Sequence, residues 1–150
     1  MSLDLGFTIA AILLLLVFSA FFSGSETGLT AVSRARLTEL ERRGSARASM
    51  VLALTATRER LIGALLLGNN VVNISASALA TVALVRIFGD SGAFVATFAM
   101  TLLVLIFGEV LPKTYAIAYP DRVALAGAPI IRMLVAVFGP VVMTVEYIVK

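Results

Sequence analysis

Three polar clusters interrupt an otherwise strongly apolar sequence: FFSGSETG at 21–28, LLLGNNVVNISAS at 65–77 and IFGEVLPKTYA at 106–116. Together they present the hydroxyls of Ser23, Ser25 and Ser77, the carboxamides of Asn69, Asn70 and Asn73, the carboxylates of Glu26 and Glu109, and the ammonium of Lys113. The chain has no Cys and no His, so thiolate and imidazole ligands are excluded, and with them disulfides and the usual zinc and haem sites. Oxygen donors alone suit a hard cation such as Mg²⁺, Ca²⁺ or Na⁺. Asn70, Asn73 and Ser77 follow i, i+3, i+7 spacing and form one stripe on a helix, with Asn69 about 100° round from it. Taken alone, that stripe is explained as well by hydrogen bonds between membrane helices, worth about 1 kcal/mol each.

Backbone oxygens extend the donor set. Pro112 has no N–H, so in an α-helix the carbonyl four residues earlier, that of Gly108, loses its partner beside Glu109. The two glycines of SGSETG weaken a helix and its serines compete for backbone groups, so unwinding is expected there, freeing carbonyls such as that of Phe22. Irregular backbone at membrane depth is tolerated where it lines a polar cavity, and broken helices are a common way to bind cations in transporters. Lys113 stands i+4 from Glu109, a spacing for an ion pair, although it could equally snorkel to the headgroups and leave Glu109 merely neutralised.

The elements that must position these groups are membrane helices. With 60% hydrophobic and 14% charged residues, there is too little polar surface to coat a soluble globule of 150 residues. Spans are expected at about 5–32, 61–87 and 92–118. The N-terminal stretch MSLDLG lacks the basic residues of a signal peptide, so the first apolar segment is expected to stay. Seven of the twelve basic residues, Arg34 to Arg60, lie between the first two spans, which makes that loop cytoplasmic and places the N-terminus outside and the C-terminus inside. Leucines alternate with those arginines, so amphipathic juxtamembrane helices are expected at about 34–60. The stretch 120–150 is apolar but carries Pro129, Pro140 and Arg132, and reads as bent interfacial helices rather than a fourth span. A nucleic-acid partner is not expected beside three spans, despite a pI near 9.8. The expected fold is thus an all-α integral membrane protein: a single transmembrane domain over 1–150, three spans with interrupted helices at an ion site, and juxtamembrane helices. Counted from the span ends at about 1.5 Å per residue, Ser25, Asn70 and Glu109 fall at a similar depth.

The three clusters, in order and spacing over about 5–120, closely resemble the transmembrane domain of the CorC and cyclin M (CNNM) proteins. The resemblance implies a homodimeric magnesium transporter in the cell membrane, exporting Mg²⁺ in exchange for Na⁺. It implies Ser25, Asn70 and Glu109 as cation ligands, with backbone oxygens at Phe22 and Gly108; Ser23, Glu26, Asn69 and Asn73 match motif positions without an assigned role. In that family cytoplasmic CBS domains that bind ATP follow. None is present here, and nothing near Lys150 resembles a natural terminus, so a longer protein is expected. A dimer also follows from the small-residue pair Ala76 and Ala80.

Three rival readings remain: a membrane Mg²⁺ sensor that regulates another transporter, a passive cation channel, and an intramembrane protease built on a Ser25–Lys113 dyad. The last has no recognisable oxyanion hole, and no enzyme activity is expected.

Overall fold

The computed structural model describes residues 2–150. Helix α1 (Ser2–Ala31) is followed by two short helices, α2 (Arg34–Arg42) and α3 (Ala46–Ala56), then by α4 (Arg58–Phe88). A tight hairpin leads into a third long helical rod, made of α5 (Ser91–Leu103), a π-helical segment (Val104–Val110) and α6 (Leu111–Ala118), and the chain closes with α7 (Pro120–Val149). The three long apolar rods, Asp4–Ala31, Arg58–Phe88 and Ser91–Ala118, agree with the expected spans to within a few residues. The fold is an all-α, multi-pass membrane protein.

Local chemistry sets the breaks. Ser33 and Ser45 cap α2 and α3, their hydroxyls accepting from the N–H groups of Arg36 and Ala48. Gly89 ends α4 at φ +66°, a conformation that other residues rarely adopt. A side chain at Gly92 would meet the Leu84 carbonyl, so the hairpin closes only on glycine there. The arginines at 34, 36, 58 and 60 gather at the end of the bundle opposite that hairpin.

Span one does not unwind. α1 is continuous through 21–28, so the expected free carbonyl at Phe22 is not formed. Packing outweighs the weak local propensity: the Phe22 ring lies where a side chain on Gly68 would stand, and α1 is the central helix, touching α4, the π segment, α6 and α7. The interruption falls in span three instead. There the Leu111 N–H donates to Ile106, an i to i+5 bond. The π segment ends at Val110, just before Pro112, whose missing N–H falls at the change from π to α spacing. The expectation at Gly108 assumed α-helical spacing.

The stretch 120–150 also differs from expectation. It is one continuous helix with Pro129 and Pro140 inside it, long and apolar enough to cross a membrane. Its contacts place both ends at the arginine-rich end. Asp121 pairs with Arg36 at 2.9 Å, Val142 packs over Gly63, Gly139 lies beside Arg60, and Lys150 is 4.0 Å from Glu59. A helix running parallel to the spans would carry Val142 toward the opposite end, so α7 lies across the bundle. It stays continuous because Ala124, Ala128 and Ile131, at i, i+4 and i+7, are fully buried against its neighbours, which offsets two lost backbone bonds. These residues join Leu37, Ala48, Val51, Leu61 and Leu65 in one apolar core. A smaller core in the other half contains Ala76, Ala80 and Met100. Ala76 and Ala80 therefore pack within the chain and are not a free dimer face.

Candidate functional site

On α1, Ser19 and Ser23 are one turn apart and both fully buried. They face α4, where Asn69 and Asn73 are likewise one turn apart, and the π segment, which brings Glu109 inward. The Ser23 hydroxyl donates to Glu109 Oε2 (3.3 Å) and the Asn69 amide donates to Oε1 (3.0 Å). Asn69 Oδ1 in turn accepts from Ser19 (3.1 Å) and from the Asn73 amide (3.3 Å). Lys113 Nζ sits 2.9 Å from Glu109 Oε2, so the i+4 spacing does form an ion pair. Glu109 is thus the centre of a polar network joining all three spans, and its side chain remains 28% exposed, within reach of a solute.

The close approach depends on small residues. A side chain on Gly108 would come within 2.7 Å of Ser19 Oγ, and one on Gly24 would touch Pro112. Ser19 was not singled out from the sequence. Its signal was there, as the polar residue of the Phe7–Ala20 run that lies one helical turn from Ser23 on the same face.

The remaining candidates divide. Asn70 is exposed and makes no side-chain hydrogen bond among the described residues, and Ser77 is half-buried with its carbonyl accepting from Thr81. Of the stripe Asn70, Asn73 and Ser77, Asn73 alone joins the buried network, through its amide to Asn69. Ser25 is buried but faces α7, its Oγ 3.3 Å from where a side chain on Gly127 would begin. It shares a cavity with Pro112, Tyr115 and Arg122, and this structure does not bring it to Glu109. A Ser25–Lys113 dyad is not formed, since Lys113 bonds to Glu109. Glu26 lines a separate cavity of about 180 Å³ with Thr30, Arg34 and Arg58 at the arginine-rich end.

Hydrogen-bond capacity separates holders from ligands. Asn69 has both functional ends engaged, and Ser23 spends its proton on Glu109, so these two fix the carboxylate. Asn73 Oδ1 is buried with no partner among the described residues, and Asn70 is uncommitted. One charged oxygen and two free carboxamide oxygens are therefore available on the same two helices. No group of three acidic, His or Cys residues that could hold a metal ion occurs among the described residues, so a cation here would rest on mixed neutral and charged oxygens.

The model of the cyclin M transmembrane N-terminal domain matches residues 9–150. This chain belongs to the cyclin M transmembrane-domain family. Among curated members, it is 44% identical over 124 residues to the UPF0053 inner membrane protein YfjD of Escherichia coli, covering 83% of this chain and 29% of that protein. It is 38% identical to a UPF0053 protein of Haemophilus influenzae, covering 94% of this chain and 34% of that one. A third relative, named polyamine export protein in Haemophilus influenzae, is 30% identical over 95% of this chain and 36% of its own length. The chain spans about a third of each of these relatives. Family membership makes it a transmembrane domain.

Proposed function

We propose that this domain exports Mg²⁺ across the cell membrane in exchange for Na⁺, as a homodimer with the arginine-rich end in the cytoplasm. One observation carries the reading. Glu109, the only carboxylate in the network, is held inside a span by two buried donors while a protein cation occupies it. Such a site is charge-balanced without cargo. An arriving cation takes the carboxylate from Lys113, adding the Asn70 and Asn73 oxygens as neutral ligands. The displaced ammonium stays tethered one turn away, and its return helps to expel the ion. Ser25, a ligand by family resemblance, enters the set only when α1 and α7 are arranged differently. Nucleotide control by ATP would belong to CBS domains outside this chain.

Mg²⁺ is favoured over softer metals by the all-oxygen donors. A second reading has its own support: Glu109 already holds a primary ammonium, and a relative is named for polyamine export. In that reading the cargo is an organic polycation whose terminal ammonium replaces that of Lys113.

The test is flux in proteoliposomes of the wild-type chain and Asn70→Ala, with Mg²⁺ or spermidine inside and with or without an opposing Na⁺ gradient. Sodium-dependent Mg²⁺ flux lost in the variant supports the proposal. Spermidine flux without Mg²⁺ flux selects the second reading, Mg²⁺ binding without flux a sensor, and unsaturable, sodium-independent flux a channel.

A further inference from the structure

The arginine-rich end contains a second charged feature, which the Glu109 network does not touch. α3, the first turn of α4 and the middle of α7 enclose an open groove of about 550 Å³. Arg60 and Arg132 line it, above a wall that includes Leu54, Val135, Pro140 and Met143, and no Asp or Glu contributes. Neither arginine forms an ion pair among the described residues, whereas Arg36 and Arg43 at the same end pair with Asp121 and Glu39. The groove itself therefore presents two arginines and no carboxylate beside an apolar surface, while Glu59 and Glu146 line the adjoining cavity that Arg60 also borders.

Its level in the membrane follows from the span it borders. Arg60 lies in the first turn of the Arg58–Phe88 rod, where the hydrocarbon core gives way to headgroups. Arg60 is half-buried, with its stem beside Gly139. Arg132 is exposed on the apolar helix α7, where its guanidinium is free to meet a headgroup. A guanidinium fork matches phosphate oxygens bidentately, and basic pockets between membrane helices accept acidic lipid headgroups.

We propose that Arg60 and Arg132 bind the phosphate of an acidic membrane phospholipid, with its acyl chain along the Leu54, Val135 and Met143 wall. A free phosphate would satisfy the two guanidiniums but would leave the wall uncovered. The lipid satisfies both, and it ties α7 to α4 at the membrane surface.

Native mass spectrometry of the purified chain, titrated separately with phosphatidylglycerol, phosphatidylcholine and inorganic phosphate, tests this against Arg60→Gln/Arg132→Gln. Each arginine near the surface contributes about a fivefold effect, so phosphatidylglycerol is expected to bind the double variant about 30-fold more weakly. Phosphatidylcholine should bind both proteins weakly and alike, and phosphate should not displace phosphatidylglycerol. Equal phosphatidylglycerol affinity in wild type and variant would overturn the proposal. So would phosphatidylcholine binding as tight as phosphatidylglycerol, which indicates ordinary annular lipid, or displacement by phosphate, which indicates a free-anion site. Arg132 is exposed, so Arg132→Gln alone repeats the test without loss of packing, and an unchanged affinity there counts equally against it.

Discussion

The Glu109 network and the apolar core beneath α7 are both buried, but they are held together by different forces. In the core, Leu37, Ala48, Val51, Ala124, Ala128 and Ile131 are almost fully enclosed, as in a soluble domain. In the network, Ser19, Ser23, Asn69, Asn73 and Glu109 meet through directed bonds. Lipid tails are as apolar as leucine, so between spans apolar contact alone gives little preference for one arrangement, and polar bonds must supply it. At the arginine-rich end, where water and headgroups compete, apolar burial regains its usual value. The first region is therefore set by directed bonds between spans, while the second keeps the helices around it fixed.

Cutting the core should have the largest effect on stability and none on binding. Ile131→Ala is expected to cost about 3 kcal/mol in reversible unfolding from detergent, with cation affinity unchanged. If affinity fell in parallel, the two regions would be one cooperative unit. Glu109→Gln reverses the pattern: removal of the charged ligand should weaken cation binding about 30-fold, measured by equilibrium dialysis, at little cost to the fold. A smaller change would move the site away from Glu109.

The neighbouring asparagines sharpen the contrast. Asn69→Ala removes three side-chain bonds and should lower stability by about 2 kcal/mol while weakening cation binding through a loosened Glu109. Asn70→Ala should weaken binding about tenfold and leave the unfolding midpoint unmoved, because it loses only a neutral ligand. The reverse result would exchange their roles of holder and ligand. The smallest effect is expected from Gly108→Ala, whose new methyl must push Ser19 aside, for a loss of about 1 kcal/mol and a measurable fall in affinity. Normal behaviour of that variant would show that the close approach of α1 to the π segment is dispensable.

Much of this was legible before any coordinates. A run of apolar residues about 20 long has one stable solution in a bilayer, so the three spans, the arginine-rich loop and the all-oxygen donor set follow from residue types alone. The i+4 pair of Glu109 and Lys113 is likewise local, fixed by helical spacing. What depended on rotation and contact was not legible. Asn69 and Asn70 differ by one position and have the same chemistry, yet the turn of α4 against Ser19 buries one and exposes the other. Ser23 and Ser25 are separated in the same way by the facing of α1. The unwinding expected at SGSETG was a local preference that the packing of Phe22 on Gly68 overrode. The π segment that carries Glu109 was not legible either, because local propensity does not announce an i to i+5 register. The sequence by itself determined which oxygen donors the spans carry; only the tertiary structure decided which of them meet one another, because a helix presents a side chain according to its rotation, and rotation is set by its neighbours.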